Sequence, residues 1–299
     1  MAGWAAHFEA VSPPGGESVR QVVTIYPIQT GTVQIKSTQQ RGRGRGFLRQ
    51  LNMLLDTSWT DPLPIYAWAI QHQEGILLVD TGETARTAGS GYYPRWHPYY
   101  RLALRMNVRP AHEIGPQLRS LGIEPAEVSK VLMTHLHTDH AGGIAHFPSS
   151  RFLLDAAEYS YAWGAAGRLR GYLPQHWPAW FKPDSIPFQQ VRFGPFNHCY
   201  FVTAAKDIVV IPTPGHTPGH VSVLVMLDGL NVLIAGDTTY TESALLHRQV
   251  DGISPDERIA LRTMDNILQF AQEHPTVYLP SHDPESVVRL RSLSTIQAG

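Results

Sequence analysis

The chain has 299 residues, with 24 basic side chains against 25 acidic ones and a formal net charge of −1, so no global field recruits nucleic acid or an anionic membrane. Cys199 is the only cysteine, which excludes an intrachain disulfide and suits a reducing compartment. No stretch is apolar for long enough to span a bilayer, and residues 1–9 lack the basic flank and apolar core of a secretory signal, so the expectation is a cytoplasmic, single-domain protein able to bury a sizeable core.

In chain order, residues 21–26 and 31–36 read as paired strands within an amino-terminal strand and loop extension over 1–60. Arg41-Gly-Arg-Gly-Arg-Gly46 has the composition of an RNA-contacting tract, yet it is short, lacks repeated aromatics and sits in a neutral chain; it reads as a mobile loop. Residues 64–71 and 75–79 form a second strand pair before Asp80-Thr-Gly82, where Asp80 is either a turn residue or the orienting partner of a histidine ligand. The aromatic and basic run 92–105 reads as a helix or lid, and 111–121 as a helix stopped by Gly122. Residues 128–133 are a short apolar run with the character of a buried strand. Residues 220–227 and 231–235 flank Asp228-Gly229, a hairpin signal. From 256 to 273, Ala260, Met264, Ile267, Leu268 and Ala271 repeat at the spacing of one helix face. Periodicity alone supports a mixed α and β chain.

The densest chemistry lies in Thr134-His-Leu-His-Thr-Asp-His-Ala-Gly-Gly143. Clustering His135, His137, Asp139 and His140 is costly unless a cation organises them, and borderline metals such as zinc take this mixture of nitrogen and oxygen donors. His135 and His137 are two apart at a strand end and share a face, while Ala141-Gly142-Gly143 lets the backbone turn tightly and swing Asp139 and His140 toward a neighbouring point. Three further apolar runs end in polar residues, at His216, Asp237 and His282, and sites in layered α/β folds assemble from loops at strand ends. The donors then divide into His135, His137 and His216 for one metal and Asp139, His140 and His282 for a second, with the two carboxylate oxygens of Asp237 left to bridge. The cofactors expected are two divalent ions, zinc first, with cobalt, manganese or iron able to substitute.

The pattern His-x-His-x-Asp-His, then Gly-His, Gly-Asp and Ser-His resembles the metallo-β-lactamase superfamily over residues 62–285. Within it the chain looks most like the N-acyl homoserine lactone lactonases, the quorum-quenching enzymes, on Asp237-Thr-Thr-Tyr240 and the closing Ser281-His-Asp283. The resemblance implies an αββα sandwich, two sheets face to face with helices outside. It gives the metal role to His216 and leaves His220, four residues later, a structural hydrogen-bonding part.

On that reading two cations about 3.5–4 Å apart generate a bridging hydroxide at neutral pH, which attacks the lactone carbonyl. Tyr240 donates a hydrogen bond to the carbonyl or developing oxyanion, and Asp139 protonates the leaving ring oxygen. Phe47, Met53, Trp59 and the aromatics of 92–100 are the expected wall of an acyl groove. A phosphotriesterase or a thioesterase of glyoxalase II type uses the same metals and is the alternative. The expected partner is a small-molecule lactone, with neither nucleic acid nor membrane, and the reading leaves room for a homodimer.

Overall fold

A computed structural model describes residues 6–10 and 21–297; the rest of the start of the chain, including most of the stretch read above for a signal, lies outside the described residues. The strands are β1 Ala6–Ala10, β2 Gln21–Ile35, β3 Leu63–His72, β4 Gly75–Val79, β5 Leu104–Asn107, β6 Val128–Leu132, β7 Arg151–Leu154 and β8 Asp184–Ser185 in one sheet. The other sheet holds β9 Tyr200–Phe201, β10 Ile208–Pro212, β11 Val221–Leu227, β12 Leu230–Gly236 and β13 Thr276–Pro280. Their orders are β1-β2-β3-β4-β6-β7-β8, with β5 on β2, and β13-β12-β11-β10-β9.

Period-two alternation builds the layers. On β3, Trp68 and Ile70 face the other sheet while Ala67 and Ala69 face outward. On β10 and β11, Ile208, Val210, Val223 and Val225 face inward while Val209, Ile211 and Leu224 face outward. The inward rows meet in one inter-sheet core. The outward rows are covered by helices: Ile114 and Leu118 of Ile114–Ser120 on the first sheet, and Ala260, Met264, Ile267 and Phe270 of Glu257–Glu273 on the second. This is the αββα sandwich. The long helix begins where Asp256 accepts from the backbone N–H groups of Arg258 and Ile259, and Asp228-Gly229 closes the β11–β12 hairpin with Gly229 at φ 69°.

Two expectations change in detail. Residues 21–36 are not a strand pair: β2 is one 15-residue strand, both halves of which pair with β3, with an irregularity between Gln29 and Thr32. Gly31 sits there at φ 148°, and a Cβ on it would meet Val108 Cγ2 at 2.7 Å and the Asn107 carbonyl oxygen at 2.8 Å. Gly31, expected to open the second strand of a pair, is instead a bulge pressed against β5 and the residue after it. The helix expected over 111–121 spans only Ile114–Ser120, because Pro110–His112 forms a separate 3-10 turn before it. Among the described residues, no helix is long and apolar enough to cross a membrane.

Candidate metal centre and its cavity

The seven expected donors all follow carboxyl ends of strands, on one rim of the sandwich. His135 and His137 lie just past β6, and Asp139 and His140 belong to the helical turn Thr138–Ala141 that begins after His137. The turn is pinned from below: the Thr81 N–H and hydroxyl both donate to the His140 carbonyl at 2.8 Å, and the Gly142 N–H donates to Gly82 O at 2.9 Å. Gly142 and Gly143 have negative φ, so their conformations do not require glycine. Close approach does: a Cβ on Gly142 would lie 2.2 Å from Glu83 Oε1, and one on Gly143 2.3 Å from the Thr81 carbonyl oxygen.

The structure brings all seven side chains together. His135, His137 and His216 form one group able to hold an ion, Asp139, His140 and His282 another, and Asp237 joins His135 and His140 in a third. His137 Nδ1 is 3.0 Å from both His135 Nε2 and His216 Nε2. Asp237 reaches both sides, with Oδ1 3.2 Å from His140 Nε2 and Oδ2 3.5 Å from His216 Nε2 and 3.3 Å from His282 Nε2; His282 Nε2 is also 3.4 Å from Asp139 Oδ2.

The outer nitrogens are oriented by partners. His140 Nδ1 faces Asp80 Oδ2 at 2.8 Å, His216 Nδ1 faces Asp251 Oδ2 at 2.9 Å, and His282 Nδ1 donates to the Pro64 carbonyl at 2.8 Å. Asp80 is thus an orienting residue, held at φ 59° while it accepts from the Thr134 N–H and hydroxyl at 2.7 Å each. Asp251 carried no signal in the sequence, since Val250-Asp251-Gly252 matches no spacing rule. His220 has the structural role: its Nε2 accepts from the Asp237 N–H at 3.0 Å and its Nδ1 faces Thr213 Oγ1 at 2.9 Å, so the ring is spent on bracing the Asp237 loop.

Electrostatics prepares the cluster for a cation. Burial, reinforced by neighbouring imidazoles, holds His135 and His137 well below the usual histidine range, in the neutral form that ligates. Burial also lowers His140, His216 and His282, but adjacent carboxylates, chiefly Asp237 and, for His216, Asp251, override it and raise all three. Burial raises the Asp237 carboxyl, yet His282 and His140 drive it well below the usual carboxylate range. His140 Nε2 and Asp237 Oδ1 are buried without a hydrogen-bond partner among the described residues. Two orphaned atoms of opposite donor character, beside the His135 and His137 imidazoles held neutral, fit a pair of divalent cations.

A cavity of about 510 Å³ opens over the cluster. Asp139, Asp237, His137, His216 and His282 form its floor, and Val33, Ile35, Met53, Leu54, Leu104 and Leu169 are among its apolar lining. Trp96, His97, Tyr99 and Tyr100 also line it, so part of the 92–105 run does cover the site, around the short helix Pro98–Leu102. Trp59 does not: Lys36 Nζ and the Arg105 guanidinium cover its ring at 3.9 and 4.0 Å, away from the cavity. The Phe47 side chain lies outside the described ones.

Tyr240 reaches the cavity from the loop after β12, its ring stacked on His282 at 5.6 Å between centroids. Its hydroxyl accepts from Gln39 Nε2 at 3.0 Å, and the same nitrogen donates to Tyr99 OH at 3.0 Å. Neither hydroxyl donates to any described protein group. Burial raises both phenols well above their ordinary value, so both keep their protons at neutral pH. The sequence offered Tyr99 only as one aromatic of the expected groove wall and Gln39 not at all, because 60 positions separate them and no spacing rule joins them.

The chain is 26% identical to N-acyl homoserine lactonase AttM of Rhizobium radiobacter, an alignment covering 88% of this chain and 94% of that protein. It is 25% identical to an N-acyl homoserine lactonase of a Bacillus species, over 75% of this chain and 82% of that one, and 29% identical to a probable metallo-hydrolase of Mycobacterium tuberculosis, over 73% and 71%. The fold is that of a solved N-acyl homoserine lactone hydrolase carrying the product N-hexanoyl-L-homoserine at its catalytic metal center, with a TM-score of 0.72 at 20% identity over 92% of this chain and 97% of that one. It also matches the dizinc quorum-quenching lactonase AidC, with a TM-score of 0.61 at 14% identity over 95% and 92%. The sequence matches the Metallo-beta-lactamase superfamily over residues 60–282, which takes in all seven candidate donors, and the chain belongs to that superfamily.

Proposed function

We propose that the protein is a metal-dependent hydrolase that opens the lactone ring of N-acyl homoserine lactones. The observation that carries the reading is the convergence of seven donors, with the orphaned His140 Nε2 and Asp237 Oδ1 among them, beneath an apolar cavity that presents the Tyr240 hydroxyl. The names of the lactonase relatives point the same way. Among the cavity's lining residues the only lysine or arginine is Arg170, which suits a neutral substrate better than a glutathione thioester with its two carboxylates.

In this reading His135, His137 and His216 hold one ion, Asp139, His140 and His282 a second, and Asp237 bridges them, with zinc the first choice for this donor set. Such a pair of cations polarises a carbonyl and supplies an ionised nucleophile at neutral pH. The apolar wall takes the acyl tail, each buried methylene contributing roughly 0.8 kcal/mol. Tyr240 donates its proton in a hydrogen bond to the lactone carbonyl oxygen, where charge develops as the nucleophile adds. The ring C–O bond then breaks, and an Asp139 carboxyl oxygen passes to the departing ring oxygen the proton it takes from the O–H of the added nucleophile. The products are a carboxylate and an alcohol, with one proton released per ring opened. We take residues 1–299 as a single hydrolase domain in the cytoplasm, in keeping with β2's place in the main sheet and with the lone, buried Cys199.

Proton release in weak buffer, followed with a pH indicator, tests the function. Metal-replete protein is expected to release protons on N-hexanoyl homoserine lactone, stop on chelation and resume on addition of zinc. Ring opening that persists unchanged in protein stripped of metal counts against the reading.

A further inference from the structure

The Gln39 side chain is buried at the cavity wall and makes a two-pronged contact that the ring-opening step does not use. A primary amide nitrogen has two hydrogens, and here two phenol oxygens, Tyr99 OH and Tyr240 OH, each receive one at 3.0 Å. A phenol that accepts from the protein has its own O–H left to donate, so the amide aims two hydroxyl donors into one cavity. The opposite end of the amide, Oε1, is buried with no hydrogen-bond partner among the described residues. Leaving such an acceptor unpaired is costly, and a ligand N–H would satisfy it.

The Gln39 backbone is fixed as firmly as its side chain. Its carbonyl accepts from the Gly252 N–H at 2.7 Å, and a Cβ on Gly252 would lie 2.4 Å from the Thr38 carbonyl oxygen and 2.8 Å from Gln39 Cα. Gly252 follows Asp251, which orients His216. The amide and the ligand cluster are therefore built on one bracket.

We infer that Gln39 and Tyr99 form a recognition subsite for the side-chain amide of the substrate, in which Tyr99 O–H donates to the amide carbonyl and Gln39 Oε1 accepts the amide N–H, while Tyr240 serves the ring carbonyl. The inference rests on the lactonase reading and deepens it. An acyl homoserine lactone carries two carbonyls and one N–H, the complement of two hydroxyl donors and one free acceptor. A plain alkyl γ-lactone carries only the ring carbonyl. Tyr99 thereby sets specificity, while Gln39 both touches the substrate and positions the two phenols.

The test compares kcat/KM on N-hexanoyl homoserine lactone and on γ-decalactone for the wild type, Tyr99→Phe and Gln39→Leu, all loaded with zinc and checked for equal metal content and circular dichroism. Tyr99→Phe is expected to lose about 10-fold on the amide-bearing lactone and less than about 2-fold on the alkyl lactone, as one hydrogen bond of roughly 1–1.5 kcal/mol requires. Gln39→Leu should lose more on the amide-bearing lactone than on the alkyl one. Calorimetric binding of the inert ring-amide analogue, N-hexanoyl homoserine lactam, supplies a readout apart from turnover and should weaken about 10-fold in Tyr99→Phe. Equal losses on both lactones, no loss in Tyr99→Phe, or unchanged lactam binding overturns the subsite while leaving the lactonase reading intact. A wild type inactive on both lactones removes that reading and the subsite with it.

Discussion

At the residue scale, the roles of single side chains follow from what each one touches. Tyr240→Phe removes one of the donors available to the ring carbonyl while a cation still faces the same charge, so turnover should fall by at most about 10²–10³-fold with metal content unchanged; stopped-flow turnover with elemental analysis checks both. An unchanged turnover number would make Tyr240 a packing residue. Asp251→Asn acts through His216: it takes away the carboxylate 2.9 Å from Nδ1, and metal affinity is expected to drop by roughly 10–100-fold. Zinc competition against a chromophoric chelator measures this, and retained affinity would show that His216 holds its orientation unaided. The seven candidate donors, whose side chains the structure brings together, could be picked out in the sequence because ligand chemistry sets histidines and carboxylates in short strings after apolar strands. Asp251 and Gln39 could not, nor could the pairing of Gln39 with Tyr99, because these contacts exist only where distant loops meet.

At the scale of elements, the sequence told strands from helices through their periods, and it failed where one glycine can mean two things. Residues 21–26 and 31–36 read as two paired strands and proved to be one strand bulged at Gly31, since local φ preference does not reveal the Val108 methyl and Asn107 carbonyl already occupying the space of its Cβ. Gly31→Val should cost about 1–3 kcal/mol of unfolding free energy by urea titration, from overpacking and a left-handed-side φ; an unchanged midpoint would mean that the two edges separate freely. A second element-level test concerns how the sheets are tied. His72 Nε2 at the end of β3 lies 3.1 Å from Asp207 Oδ2 just before β10, both side chains buried, and Thr203 Oγ1 donates to Asp207 Oδ1 at 2.5 Å. Burial raises the Asp207 carboxyl, but these hydrogen bonds more than reverse it and leave its pKa below the ordinary 3.8. A depressed folded-state pKa contributes stability that is present above the unfolded value and lost as pH falls through the folded one. Asp207→Asn should therefore be less stable by about 2 kcal/mol at pH 7, and the gap should narrow as the pH falls below about 4. A gap independent of pH in urea titrations would show that the carboxylate's charge has no part in it.

At the scale of the whole molecule, the sandwich gathers all seven candidate donors on one rim, where His140 Nε2 and Asp237 Oδ1 are buried without a hydrogen-bond partner among the described residues. Metal binding should consequently stabilise the fold by mass action, by about 4 kcal/mol at a thousandfold excess over the dissociation constant. Calorimetric scans of loaded and chelated protein should differ by several degrees, and coincident transitions would argue that the cluster is satisfied without ions. The layered fold was legible only in outline: β3, β10 and β11 are near-continuous apolar runs buried on both faces, so which side chains meet the other sheet is decided by packing across the core. The substrate is decided by the cavity, whose walls come from segments as far apart as 33–54, 96–104 and 161–172. The central claim is that this cavity selects a lactone. Its most direct test sets N-acyl homoserine lactones against a phosphotriester, a glutathione thioester and a β-lactam at equal concentration of zinc-loaded enzyme, comparing kcat/KM. The lactones are expected to give the highest values, rising with tail length and then levelling; any of the other three exceeding the best lactone by more than about tenfold, roughly 1.4 kcal/mol of transition-state preference, would contradict the assignment.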